Sequence, residues 1–123
     1  MEMKATSQDK DGYNISLNYK VDTIRVYKQA IEVLGNPRFV QFFINRKDKM
    51  LYMQGTDEKT KDALEVPPKD QMRSRCYLFH GVDIIRVLSQ LGGWKIEKPH
   101  ILRGNYIPQY NVISFDLTKA LPM

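Results

Sequence analysis

The sequence predicts an α+β fold: a small mixed sheet or barrel built from two β-α-β-β halves related by a pseudo-twofold axis. Three observations lead there. Two apolar helical patterns each close on Leu-Gly, each follows one candidate strand, and each precedes two more.

In the first half, Tyr13-Asn14-Ile15-Ser16-Leu17-Asn18-Tyr19 reads as a strand, because Asn18 and Lys20 alternate with apolar neighbours as on a half-buried sheet. Ile24, Tyr27, Ala30, Ile31 and Leu34 recur at the spacing of one helical face and predict a helix over 23–34. Asp22 or Thr23 would cap its start. Gly35 would end it, and Pro37 would prevent its resumption. Phe39 to Ile44 and Met50 to Met53 then flank the polar Asn45-Arg46-Lys47-Asp48-Lys49, the pattern of a β-hairpin.

The second half repeats this order. Arg75 to Phe79 reads as a strand, and Ile84, Val87, Leu88 and Leu91 trace a helical face ending at Gly92-Gly93. Two strands follow, 99–103 and 111–117, with a loop over 104–110 between them. A shift of 57 places Leu91 on Leu34 and Gly92 on Gly35, with Ile84 on Tyr27, Val87 on Ala30 and Leu88 on Ile31. Residues 1–12 read as a flexible tail and 13–123 as one domain. Its halves, 13–53 and 75–118, are joined by a polar connector, 54–74, in which only Leu64-Glu65-Val66 suits a short strand.

A chain of 123 residues has room for one core. With 42% hydrophobic residues, a domain this size buries about 65% of its unfolded surface and needs no disulfide. The single Cys76 sits in the apolar run Cys76-Tyr77-Leu78-Phe79 and reads as a small buried hydrophobe in a reducing cytoplasm. The N-terminal stretch lacks the apolar core of a signal peptide, and no run of 18 apolar residues suggests a membrane span. Nineteen Lys and Arg against fourteen Asp and Glu give +5, which favours polyanions or acidic protein surfaces as partners.

The pattern of Ile24-Arg25-Val26-Tyr27-Lys28, the helix end Leu34-Gly35 and the paired segments Val40 to Ile44 and Lys49 to Met53 resembles the AbrB-like swapped-hairpin family. In that family two copies interlock into one barrel and bind DNA, so the resemblance implies a DNA-binding core. Two such units in one chain would make a covalent version of the family's dimer. Two features of the family are missing: a Pro at the helix start and a Gly-Asp turn after Leu-Gly.

Catalytic constellations are not legible. Cys76, His80 and His100 form no tight local pair for zinc, and the carboxylates Asp57, Glu58 and Asp62 lie in the connector, where such groups are usually solvated. Gly92-Gly93 follows a helix, whereas a phosphate cradle precedes one. The expectation is a non-enzymatic binding protein without cofactor or metal. Two residue groups suit a ligand. Arg38, Arg46, Lys47, Lys49, Arg73 and Arg75 can hold phosphates. Trp94, Arg103, Asn105, Tyr106, Gln109 and Tyr110 can stack and read a base. The first reading is a small nucleic-acid-binding regulator of phage or mobile-element type. The alternative is an anti-defence inhibitor, or a sponge for a signalling nucleotide, that contacts a partner protein or nucleotide through the second group. The apolar strand Phe39 to Ile44 suits a homodimer.

Overall fold

A computed structural model describes residues 12–80 and 82–123; of the expected tail, residues 1–11 lie outside the described residues. The chain runs β1 (Ile15–Asn18), β2 (Thr23–Tyr27), α1 (Lys28–Val33), β3 (Phe39–Asn45), β4 (Met50–Thr56), β5 (Leu64–Glu65), a 3-10 turn (Lys69–Gln71) and β6 (Cys76–Phe79). It continues through α2 (Val82–Gly92), β7 (His100–Leu102), β8 (Gly104–Ile107), β9 (Val112–Asp116), a second 3-10 turn (Leu117–Lys119) and β10 (Leu121–Pro122). The strands form two five-stranded sheets, both antiparallel. The first is ordered β10-β7-β1-β2-β6 and the second β5-β3-β4-β9-β8.

The helix expected over 23–34 is confined to Lys28–Val33, because Thr23–Tyr27 is strand β2. Ile24 and Val26 point inward and Arg25 outward, and β2 is paired on both sides, with β1 and β6. In a helix Val26 would fall off the face shared by Ile24 and Tyr27. The strand buries Ile24 and Val26 together, a gain of about 1.5–3 kcal/mol for the second side chain. Asp22 is therefore no helix cap but the last residue of the β1–β2 turn, with φ of 51°.

The helix ends also correct the shift of 57. Both helices close with an i→i−5 hydrogen bond, Asn36 N–H to the Ile31 carbonyl and Trp94 N–H to the Ser89 carbonyl. The left-handed residues there are Gly35 (φ 94°) and Gly93 (φ 76°), so Gly93 answers Gly35, not Gly92. Tyr27 lies in β2, so the superposed helical faces do not carry over. On α2 the fully buried positions are Ile85 and Leu88, while Ile84, Val87 and Leu91 are half-buried.

The β3–β4 hairpin is present as expected and longer, reaching Thr56. The expected pairing of 99–103 with 111–117 is absent. β7 joins β1 in the first sheet, and β9 joins β4 in the second. The segment expected as a loop over 104–110 begins with strand β8, which makes its own hairpin with β9. This hairpin repeats β3–β4. Asn45 opposite Met50 and Ile107 opposite Val112 are the last pairs, each closing a four-residue turn whose final residue, Lys49 or Asn111, has φ near 50° (55° and 51°). The connector is tied to β3. Leu64 and Glu65 pair with Val40 and Phe39, Val66 N–H donates to the Arg38 carbonyl, and Gln41 Nε2 donates to Thr60 Oγ1.

The inner faces of both sheets and both helices share one core, including Ile15, Leu17, Ile24 and Val26 from the first sheet, Leu51, Met53, Ile113 and Phe115 from the second, and Ile31, Ile85 and Leu88 from the helices. The chain crosses between sheets at Arg103, between β7 and β8. Gly104 is required there by space: a Cβ would lie 2.4 Å from the Tyr13 carbonyl oxygen and 2.5 Å from Ile113 Cγ2. Gly104→Ala is expected to lower stability by about 1–3 kcal/mol, read as a reduced midpoint in urea denaturation followed by circular dichroism. An unchanged midpoint would contradict this close packing.

Candidate nucleic-acid interface

Strand alternation decides which residues of the second sheet face outward. Leu51, Met53, Ile113 and Phe115 are fully buried, so their neighbours Tyr52, Gln54, Val112 and Ser114 lie on the opposite face. The register then sets three rows across the sheet. Phe43, Tyr52, Ser114 and Asn105 form the middle one. Gln41, Gln54, Val112 and Ile107 lie to one side of it, and Asn45, Met50 and Asp116 to the other. Neither helix contributes to this face.

Phe43 is 49% exposed, a large aromatic side chain on a strand whose partner residue is the half-buried Tyr52. Directly paired residues bring their Cβ atoms to about 4.5–5.5 Å, so the two aromatic side chains are neighbours on this face. Four side-chain amides share the face: Gln41, Asn45, Gln54 and Asn105. Gln54 Nε2 donates to the Tyr110 carbonyl, which ties the β8–β9 turn to this face.

Charge is unevenly distributed along the face. The β3–β4 turn places the exposed Arg46, Lys47 and Lys49 beyond the Asn45–Met50–Asp116 row. Arg103 comes immediately before Gly104, whose partner is Phe115, so it reaches the same end. Asp48 in the turn is bonded to Asn45: its Oδ2 accepts from Asn45 Nδ2, and its N–H donates to Asn45 Oδ1. Lys49 carbonyl accepts from Leu117 N–H, docking the turn against the 3-10 turn that carries Lys119. The opposite end is mixed. Arg38 lies there with its guanidinium 5.6 Å from the Phe39 ring centroid and its N–H donating to Asp57. Asp57 and Glu58 occupy that end, and Tyr110, 71% exposed, stands at the tip of the second hairpin.

The two sequence-predicted groups are thus partly merged and partly dispersed. Arg46, Lys47, Lys49 and Arg103 lie at one end of the sheet, Asn105 in its middle row, and Gln109 and Tyr110 on the turn at the other end. Arg73 and Arg75 are exposed in the turn before β6 in the first sheet, where the Arg75 carbonyl accepts from Lys28 N–H, and do not join this surface. Tyr106 faces inward, edge-on to Tyr13 at 6.2 Å, and its hydroxyl donates to Asn111. Trp94 packs over the end of α2, its indole N–H donating to the Leu117 carbonyl and its ring 4.4 Å from that of His100. Neither joins this surface. Sequence reasoning missed Gln41, Phe43, Tyr52 and Gln54. Their signal was present: between the inward Phe42, Leu51 and Met53 they are the alternate positions of the hairpin.

The other candidate chemistries find no site. Cys76 is buried, and burial raises its thiol pKa, opposed in part by Arg25. His80 Nδ1 contacts the Asp22 carbonyl and His100 Nδ1 the Lys98 carbonyl. Among the described residues no three His, Cys, Asp or Glu side chains converge as a metal site, and no helix is long and apolar enough to cross a membrane. Comparison with protein-family models, curated proteins and solved structures finds no match for this chain.

Asp116, the one carboxylate in the three rows, accepts from both the hydroxyl and the N–H of Thr118, and these bonds hold its pKa below the ordinary 3.8. A depressed folded-state pKa contributes stability that is present above the unfolded value and is lost as pH falls through the folded one. Thr118→Val should therefore raise the Asp116 titration midpoint, followed by carboxyl-carbon NMR. A midpoint that stays in place would show that the side-chain hydrogen bond does not set the shift.

Proposed function

We propose that this chain is a non-enzymatic nucleic-acid-binding protein that holds a single strand against the outer face of the second sheet. The observation that carries this reading is the exposed Phe43 beside Tyr52, set among amides and next to four cations. Every base has a π-face, so stacking on aromatic side chains tolerates sequence, and each stacked base contributes about 1–3 kcal/mol. Arg46, Lys47, Lys49 and Arg103 supply the phosphate contacts. The seven residues of β3 give a face about 23 Å long, room for a few nucleotides. Asp57 and Glu58 offset Arg38 at the far end, so the backbone is gripped at the β3–β4 turn and the bases lie toward Gln54 and Tyr110.

This reading is joined to an architectural one, that the chain holds two copies of a β-α-β-β unit about a pseudo-twofold axis. Its support is the shared order β2-α1-β3-β4 and β6-α2-β8-β9, with β7 inserted in the second. The pairing of β2 with β6 and of β4 with β9, and the matching hairpin turns, agree with it. Two such units in one chain would make a covalent version of the dimer formed by the AbrB-like family that the chain resembles.

The test is fluorescence anisotropy with labelled single-stranded and duplex oligonucleotides across a salt series. Single strands are expected to bind, with four phosphate contacts giving a log–log salt slope of roughly −3. Phe43→Ala should weaken binding by about 1–3 kcal/mol, and Arg46→Glu with Lys47→Glu should flatten the slope. No binding at low salt, a preference for duplex, or a Phe43→Ala protein indistinguishable from the parent would each overturn the reading.

A further inference from the structure

A second surface shares no residue with the sheet face. Between the β1–β2 turn, α2 and the segment after it lies an open cleft of about 320 Å³, lined by Tyr19, Arg86, Ser89, Gln90, Trp94 and Ile96. That volume falls at the lower end of the range for small-molecule sites, which combine an apolar wall with a few placed polar groups. Here the wall is Tyr19, Trp94 and Ile96, and the polar groups come from one face of α2.

Arg86 is the charged group of the cleft. It is exposed, its Nη2 donates to the Tyr19 hydroxyl, and its guanidinium carbon lies 5.5 Å from the Tyr19 ring centroid. One of its five N–H donors is therefore engaged in a contact that fixes the plane of the fork. Asp83, one turn earlier on α2, favours the charged form of Arg86 through space, but among the described residues no carboxylate lies within ion-pair distance of it. Ser89 is buried and its hydroxyl donates to the Arg86 carbonyl, leaving Gln90 as the other polar side chain free to turn toward a ligand. Trp94 is held at the cleft by its bond to Leu117 and its contact with His100. A pre-positioned guanidinium with no carboxylate in contact, beside two held aromatic rings, is complementary to a flat ring that carries a negative group.

We propose that this cleft binds a small planar aromatic anion, with Arg86 on its carboxylate or phosphate and Tyr19, Trp94 and Ile96 against its ring. Tyr19 positions Arg86, and Gln90 bonds the polar edge of the ring. A mononucleotide and an aromatic carboxylic acid share this chemistry, and separate probes tell them apart.

Trp94 is the chain's only tryptophan, so the indole N–H signal in a two-dimensional ¹⁵N–¹H spectrum reports on this cleft alone. Adenosine 5′-monophosphate and indole-3-acetate are titrated separately, with adenosine and indole as their uncharged counterparts. At least one anion is expected to move the signal saturably, and its counterpart to bind at least tenfold more weakly. Arg86→Gln should abolish the saturable shift, and Tyr19→Phe should weaken it several-fold while leaving the rest of the spectrum in place. Saturation by the phosphate alone identifies a nucleotide site, and by the acetate alone a carboxylate site. The proposal is overturned if neither anion saturates the signal, or if the uncharged counterpart binds as well as the anion. This comparison uses the parent protein, so it decides the matter even if Arg86→Gln does not fold. An oligonucleotide that binds the second sheet without moving the Trp94 signal keeps this result separate from the nucleic-acid reading.

Discussion

The pairing of β4 with β9 is the constraint on which the rest of the molecule depends. These strands lie some 60 residues apart in the sequence, and their register sets Leu51 opposite Phe115 and Met53 opposite Ile113, all four without exposed surface. Side chains alternate along a strand, so a slip of β9 by one residue would turn Ile113 and Phe115 outward and bring Val112 and Ser114 inward, and a slip of β4 would do the same to Leu51 and Met53 against Tyr52 and Gln54. Either slip buries polar groups without partners and exposes two large apolar groups, which forfeits about 1.5–3 kcal/mol each. The register is therefore fixed by the core, and the composition of the outer face follows from it.

That dependence turns Phe43 outward in mid-strand on β3, where an exposed phenylalanine invites association. β5 covers the outer edge of β3 only at Phe39 and Val40, so at Phe43 the strand is paired on one side, with Tyr52 of β4. The same hairpin carries the cations of its turn to the end of the outer face. One local element thus supplies both a flat apolar surface and the charge beside it. The cleft at Arg86 is built differently: a helix face, a turn and a single indole meet there, and none of the three would form a concavity alone.

The duplication inferred from repeating patterns rested on a helical face that the structure divides. Ile24 and Tyr27 have helical spacing by coincidence, because Ile24 and Val26 serve a strand and Ala30 and Ile31 a helix that starts only at Lys28. Propensity and spacing in a short window could not separate these, since Thr, Ile, Val and Tyr favour strands while their positions satisfy a helical pattern. Neighbouring strands decided it. The resemblance between the halves lies instead in the hairpins, whose turns end in a left-handed residue that is Lys in one and Asn in the other, a likeness of backbone that residue types conceal.

By itself the sequence determined the local elements whose signals are short in range: the β3–β4 hairpin, the body of α2, the glycine stops, the short strand in the connector and the apolar setting of Cys76. Each follows from alternation, periodicity or the conformational freedom of one residue, which act within a few positions. Only the tertiary structure decided that β7 and β9 part into different sheets, that Arg103 and Asn105 share a sheet with the Arg46 and Lys47 turn while Arg73 and Arg75 do not, and that Trp94 and Tyr106 lie off its outer face. Those outcomes depend on which distant strand supplies the hydrogen-bonding partner. Pairing between residues some 60 positions apart is selected by the fit of the whole core, and no local stretch of chain encodes it.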